Sequence, residues 1–329
     1  NYFSKRLQRI VVKHGKKPIG WDEILVPGLP KSVVVQSWRG VESLAAGAKQ
    51  GYQGILSAPY YLDAQKTNEQ HYLADPVPAD TTLTPEQQKL ILGGEVCMWA
   101  EQLDARTIDS RIWPRTAVMA ERFWSPQSVR DVPSMYRRLP KISIELEQAG
   151  LTHLSGPAMM RRSLSGQLDP GPLNTLANVL EPVSFGERYD GQKTDSRTPL
   201  DRLVDAVVAD PPSRFEIAQD VDAVLNKTAD STEAKARLTR RFTRWQEIAP
   251  GLAAQMQADP RMNDATIRAT QLGELGKLGL QLLGDAHGAR AGTSSLAVID
   301  EAAKPAALVR FTFLDSMRKL ANAPSGAAD

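Results

Sequence analysis

The sequence predicts an α/β fold: half of an eight-stranded (β/α) barrel over residues 1–155, a connection over 156–199, and a helical domain over 200–329. Three features predict it. Short apolar runs alternate with helix-periodic stretches through the first segment. Each run leads into a turn or loop and then usually a helix, as in a parallel sheet with right-handed crossovers. From residue 200 onward, apolar residues recur at helical spacing. Four βα units amount to half a barrel. An isolated half would expose two strand edges, so the remaining strands are expected on polypeptide outside this chain.

From Tyr2 to His14, the residues Phe3, Leu7, Ile10, Val11 and His14 share one helical stripe that Gly15 ends. Lys17–Trp21 reads as a short strand, followed by the acidic pair Asp22 and Glu23. Val33–Trp38 begins β-branched and continuous, as expected of a parallel strand buried on both faces. Val41, Leu44, Ala45 and Ala48 then keep helical spacing up to Gly51, and Tyr52–Ser57 supplies a third strand. A long polar loop follows with Tyr60, Tyr61 and Asp63; loops of that length are often functional. Thr84-Pro85-Glu86-Gln87 is a capping box, so a short helix starts there and leads into a fourth strand over Ile91–Met98. Trp113, Ala117, Ala120 and Trp124 define one helix face. A second helix runs from the Asp131 cap through Met135, Leu139, Ile142 and Leu146 to Gly150.

Residues 156–199, rich in Gly, Pro, Ser and Asp, read as an irregular connection with short strands near Leu176–Val183. Amphipathic stretches follow: Leu200, Leu203, Val204 and Val207; Leu238, Phe242, Trp245 and Ile248; Leu272, Leu275, Leu278 and Leu282. They describe an antiparallel helical appendage, with Pro305 starting or kinking its last helix. Gly273, Gly276 and Gly279 lie in the leucine-periodic stretch and read as a close-packing stripe rather than a phosphate loop.

Composition removes several function classes. Charged residues are 24% of the chain and the formal net charge is +2, too little for a strong nucleic-acid footprint. The basic edge Arg237, Arg240, Arg241 and Arg244 is therefore read as a solvated face. Cys97 is the only cysteine, which excludes an intrachain disulfide and a thiolate-rich zinc site. His14, His71, His153 and His287 lack metal-ligand spacing, so no metal is expected. No apolar run approaches the length of a membrane span, and the chain carries no initiator Met and no signal-like stretch. No serine-nucleophile elbow stands out.

In barrel enzymes the chemistry sits at the C-terminal ends of the strands. Those positions here are aromatic and acidic: Trp21-Asp22-Glu23, Ser37-Trp38-Arg39, Tyr60-Tyr61-Leu62-Asp63 and Trp99-Ala100-Glu101. Indole faces stack on the apolar faces of sugar rings, and carboxylates accept hydrogen bonds from sugar hydroxyls. The same tryptophans would serve as rim core, and Glu101 as a rim salt bridge; both readings stay open at this point. Tyr60 and Asp22 read either as support behind a sugar pocket or, for Tyr60, as rim packing and, for Asp22 with Glu23, as caps of the following segment; these readings stay open as well.

Taken in order, Gly20-Trp21-Asp22-Glu23, Gln36-Ser37-Trp38-Arg39-Gly40, Leu56–Asp63, Gly93–Glu101 and Trp113-Pro114-Arg115 with Ala120–Ser125 resemble the last four strand ends of family 20 β-N-acetylhexosaminidases. The resemblance covers about residues 1–155 and implies strands 5–8 of a TIM barrel followed by an accessory domain. It implies that Trp21, Trp38 and Trp99 line the pocket of an N-acetylated sugar, and that Tyr61 donates to the acetamido oxygen. That oxygen acts as the nucleophile in a retaining, substrate-assisted hydrolysis. Asp63 and Glu101 would hold O4 and O6. The implied ligand is a glycan ending in β-linked N-acetylglucosamine or N-acetylgalactosamine, with no cofactor and no nucleic-acid partner, in a periplasmic or secreted setting. No signature of an oligomeric state is present.

The family's catalytic Asp-Glu pair follows a Gly-Gly, and no Gly-Gly-Asp-Glu occurs in this chain. Gly93-Gly94-Glu95 is placed instead at the start of the last strand, so the chain alone is expected to be inactive. A non-catalytic sugar-binding remnant, and a helical interaction protein centred on residues 200–329, are the alternatives.

Overall fold

A computed structural model describes residues 2–284 and 293–323; His287 lies outside them. Two compact units emerge: Asn1–Trp99 with Pro114–Leu139, and Ala100–Trp113 with Pro140–Asp329. This division differs from a boundary at residue 155.

In the first unit, the helix Tyr2–Lys13 forms as expected and Gly15 takes a positive φ after it. Four short strands follow: β1 (Ile19–Trp21), β2 (Val34–Ser37), β3 (Gly54–Leu56) and β4 (Ile91–Gly94). They pair in parallel in the order β1-β2-β3-β4, with Ile19 opposite Val34, Val35 opposite Gly54 and Gly54 opposite Ile91. The chain is thus α/β. Val34 and Val35 are both buried, as a run of valines in a sheet covered on both faces requires. The helix Val41–Lys49 buries Leu44 and Ala48. Leu44 approaches β3 so closely that a Cβ on Gly54 would overlap its methyl group, which explains a glycine at the first position of the strand.

Two expectations fail here for local reasons. The fourth strand stops at Gly94 rather than Met98: its ladder to β3 slips between Gly54 and Ile55, resumes through Gly93, and ends at Leu56–Gly94, where β3 itself ends. Glu95 therefore stands at the end of a strand, not at its start. The face drawn through Trp113 and Trp124 is broken, since Pro114 separates the helices Ile108–Ile112 and Arg115–Trp124. The capping box at Thr84 forms, and an unforeseen one at Thr67 opens the helix Asn68–Leu73 inside the polar loop. Asp131 caps its helix through the Ser134 amide at 2.9 Å.

In the second unit, the irregular part of the connection is 192–199, and residues 156–191 are mostly regular. They form the helices Ser155–Ser165, Gly171–Ala177 and Phe185–Gly191 and the strand β5 (Leu180–Pro182). Met160, Leu164, Leu173, Leu176 and Leu180 lie in the same core as Trp245 and Leu272. The long helix Ser231–Ala258 packs against Thr266–Gly284. Added Cβ atoms at Gly273, Gly276 and Gly279 would lie 2.7, 2.6 and 2.5 Å from Ala249, Phe242 oxygen and the Phe242 ring, so the stripe is a close-packing seam. Pro305 starts no helix. It lies before β6 (Val309–Phe311), which pairs antiparallel with β5, and Ala307 and Leu308 both have positive φ on the way in. Among the described residues, no helix is long and apolar enough to cross a membrane.

Candidate functional site

Because the four strands are parallel, their C-terminal ends share one edge of the sheet, and the aromatic residues expected there arrive together. The rings of Trp21 and Trp99 lie 5.9 Å apart at 40°, and those of Tyr61 and Trp99 6.2 Å apart at 80°. Three strand ends thus meet in one cluster. Tyr61 reaches it from the single turn Ala58–Tyr60 after β3, and its backbone is bridged in parallel to Cys97, with Leu62 N donating to Cys97 O at 2.9 Å.

Trp38 takes no part in that ring cluster among the described residues. Its indole Nε1 donates to Glu23 Oε1 at 2.9 Å, and the Arg39 guanidinium sits 5.3 Å from its ring centre. Arg39 also bonds Glu23 at 3.1 Å. Asp22, buried, accepts from Ser43 Oγ at 2.7 Å and from the Arg39 amide at 3.3 Å. The acidic pair read as caps is therefore a bracket that orients Trp38 and Arg39 across neighbouring strands.

Glu95 is the carboxylate that sequence reasoning set aside. It accepts hydrogen bonds from Gln36 Nε2 and Ser57 Oγ, uncharged donors at the ends of β2 and β3. One signal could have found it: Gln36, Ser57 and Glu95 each lie one residue from the C-terminal end of a strand, in three successive strands. Beside it, burial and the Glu95 charge push the Cys97 thiol up to about 12, so it is no thiolate nucleophile at neutral pH.

Burial, the Cys97 thiol and the charges of Asp63 and Glu95 push the Tyr61 phenol up to about 12, against a lowering hydrogen bond from Trp99. Tyr61 is thus protonated across the neutral range. An indole N–H only donates, so the Trp99 interaction that lowers the Tyr61 pKa engages the phenol oxygen and not its proton. Asp63 is half-buried and acts electrostatically on Tyr61. Glu101 is exposed and lies on Ala100–Trp113, which belongs to the second unit. Tyr60 is fully buried with its ring 4.7 Å from Phe123, edge-on, as rim packing requires. A separate cleft of about 510 Å³, lined by Lys5, Arg9, Lys13 and Pro30, has none of these aromatic residues in its wall.

Comparison with known proteins gives the same region a family. Residues 1–127 match the model of "Glycosyl hydrolase family 20, catalytic domain". The chain is 34% identical over 154 residues to the "Beta-hexosaminidase subunit beta" of Entamoeba histolytica, covering 40% of this chain and 27% of that protein. It is 32% identical over 171 residues to a "Beta-hexosaminidase" of Porphyromonas gingivalis, covering 46% and 22%. Among solved structures, a Flavobacterium johnsoniae chitobiase aligns at a TM-score of 0.87 and 31% identity over 97% of this chain and 50% of its own. The chain therefore spans about a quarter of these curated relatives and half of that structure.

Proposed function

The chain belongs to glycoside hydrolase family 20, and from that premise we propose that the Trp21–Tyr61–Trp99 cluster receives the terminal, non-reducing N-acetylhexosamine of a β-linked glycan. One observation carries the reading: indole and phenol rings from three βα units meet at a single strand edge beside a carboxylate. Two indoles at 40° form an open-sided wall for an apolar sugar face and an acetamido methyl. The Tyr61 hydroxyl, protonated and with its proton uncommitted to Trp99, donates to the acetamido oxygen. Held there, that oxygen is aimed at the anomeric carbon and serves as the internal nucleophile of a retaining hydrolysis. Trp38, set by Glu23, closes the pocket, and Asp63 accepts from the sugar hydroxyls.

Under this proposal β1–β4 are strands 5–8 of a (β/α)8 barrel. The general acid and its Asp partner lie on polypeptide outside the chain, which holds no Gly-Gly-Asp-Glu. The whole protein is then an exo-β-N-acetylhexosaminidase working outside the cytoplasm, and this chain contributes pocket without acid catalysis.

Tryptophan fluorescence tests the pocket. N-acetylglucosamine or N-acetylgalactosamine should quench the chain saturably, and Trp99→Ala should abolish the response; no saturable change in the unsubstituted chain with either sugar overturns the proposal. Turnover of a chromogenic N-acetylglucosaminide above the Trp99→Ala background would overturn the placement of the acid.

A further inference from the structure

Two buried side chains with no part in the proposed reaction bracket the loop that carries Tyr61 and Asp63. His71, on Asn68–Leu73, is fully buried, and its Nδ1 lies 3.1 Å from the carbonyl oxygen of Pro59. A carbonyl oxygen can only accept, so Nδ1 carries the hydrogen. Nε2 is then the bare nitrogen, and it is buried without a hydrogen-bond partner. Arg115, also buried, donates from Nη1 to the Lys66 carbonyl at 3.4 Å. Pro59 and Lys66 are the two ends of the loop. Between them Gln65 N donates to Leu62 O at 3.1 Å, and Leu62 N reaches Cys97 O.

His71 is itself held in place relative to that loop. The reciprocal Thr67–Gln70 capping box, with bonds of 3.0 and 3.1 Å, starts its helix one residue after Lys66. Burial, then the Arg115 and Lys66 charges, push the imidazole down to about 3 against the favourable Pro59 bond, so the ring is neutral through the neutral and mildly acid range. A neutral ring with one fixed N–H is a directional clamp, unlike a flexible surface donor.

We propose that His71 is a positioning residue: by donating from Nδ1 to the Pro59 carbonyl it sets the turn Ala58–Tyr60, and with it the direction in which Tyr61 presents its hydroxyl beside Trp99. The functional meaning rests on the sugar-binding reading; the clamp itself does not.

Asn and Leu are nearly isosteric, and an Asn amide can stand where Nδ1 does, so the pair His71→Asn and His71→Leu differs mainly in the donor. In the full chain, without sugar, hydrogen exchange at the Leu62 and Gln65 amides should rise about tenfold in His71→Leu relative to His71→Asn, the scale of one lost hydrogen bond. Amides of β2 should change equally in both. No difference between the variants at Leu62 and Gln65, or the same difference in β2, overturns the proposal. Should a variant fail to fold, the imidazole nitrogen spectrum of the unsubstituted chain decides. Nδ1 protonated and Nε2 bare supports the clamp, and a ring protonated at Nε2 refutes it. Failure of sugars to quench the unsubstituted chain would sink the sugar reading and leave the exchange result standing.

Discussion

Replacing Gly276 by alanine sets two known effects against each other. In an open helical site Gly→Ala stabilises by about 1 kcal/mol, through backbone entropy and helix propensity. Gly276 is not open: an added Cβ would lie 2.6 Å from the Phe242 carbonyl oxygen and 3.1 Å from both Gln246 N and Trp245 Cβ. The first two are backbone atoms of the facing helix and cannot rotate away, so relief to the 3.0 Å floor of real contacts requires that helix to move by about 0.4 Å. Overpacking of this kind costs about 1–3 kcal/mol, which outweighs the propensity gain. Gly251 is the internal control, because it lies in the facing helix Ser231–Ala258 with nothing within 4 Å of its built Cβ. Thermal unfolding followed by circular dichroism should show Gly251→Ala raising the Tm by about 2–4 °C and Gly276→Ala lowering it by several degrees. If both substitutions stabilise equally, the two helices do not pack through this seam and the reasoning fails.

Two further outcomes follow from buried charge. His71 has a folded pKa near 3 against an unfolded value of 6.5, so the unfolded chain takes up its proton first as pH falls. Its contribution is whole above about pH 6.5 and lost towards pH 3, at up to about 1.4 kcal/mol per pH unit. The stability gap between the chain and His71→Asn, read from amide exchange in β2 at about pH 7 and about pH 4.5, should therefore narrow or reverse on acidification; a constant gap contradicts the burial argument. In the second unit, Arg188 and Asp205 form a buried pair at 2.7 Å. Asp205→Asn leaves a buried guanidinium uncompensated and should cost about 3–5 kcal/mol in urea unfolding, whereas replacing both partners with apolar residues of similar volume should recover most of that loss. A cost within the error of a surface substitution would refute it.

The strand ends were legible because a parallel sheet repeats one demand four times: an apolar run, then residues fit for the exposed edge. Val33–Val35, the Thr84 box and the glycine seam needed only local period or local chemistry. What stayed hidden depends on distance along the chain. Glu181 faces Arg310 in the β5–β6 pair, and no period within either segment announces a partner so far away. Buried arginines were equally opaque, since an arginine in sequence reads as surface. Arg111 is fully buried because it donates to the carbonyls of Val204 and Val207, and Arg268 because it gathers those of Ala302, Lys304 and Val309. In both cases the charge is satisfied by backbone that only the folded chain brings near. The polar composition of 156–199 misled for a related reason. Its few apolar residues, Leu173, Leu176 and Leu180 among them, are spent on a core whose other wall comes from later helices.

The carboxylates at the strand edge differ in how they are satisfied, and that difference bears on mechanism. Asp22 and Glu23 are drawn towards Arg39 and serve Trp38, whereas Glu95 is held by Gln36 and Ser57, donors that bring no compensating charge. Its negative charge therefore reaches Tyr61 and adds to the burial that keeps the phenol protonated. A phenol titrating near 12 makes the same hydrogen bond throughout the acid and neutral range. On the proposed reading, Tyr61 cannot then be the origin of any acid or neutral limb in the pH profile of the assembled enzyme. Both limbs must come from carboxyl or imidazole groups elsewhere. Tyr61→Phe should consequently lower kcat/KM of the assembled enzyme without displacing either limb, while a displaced limb would mean that the phenol exchanges its proton during turnover.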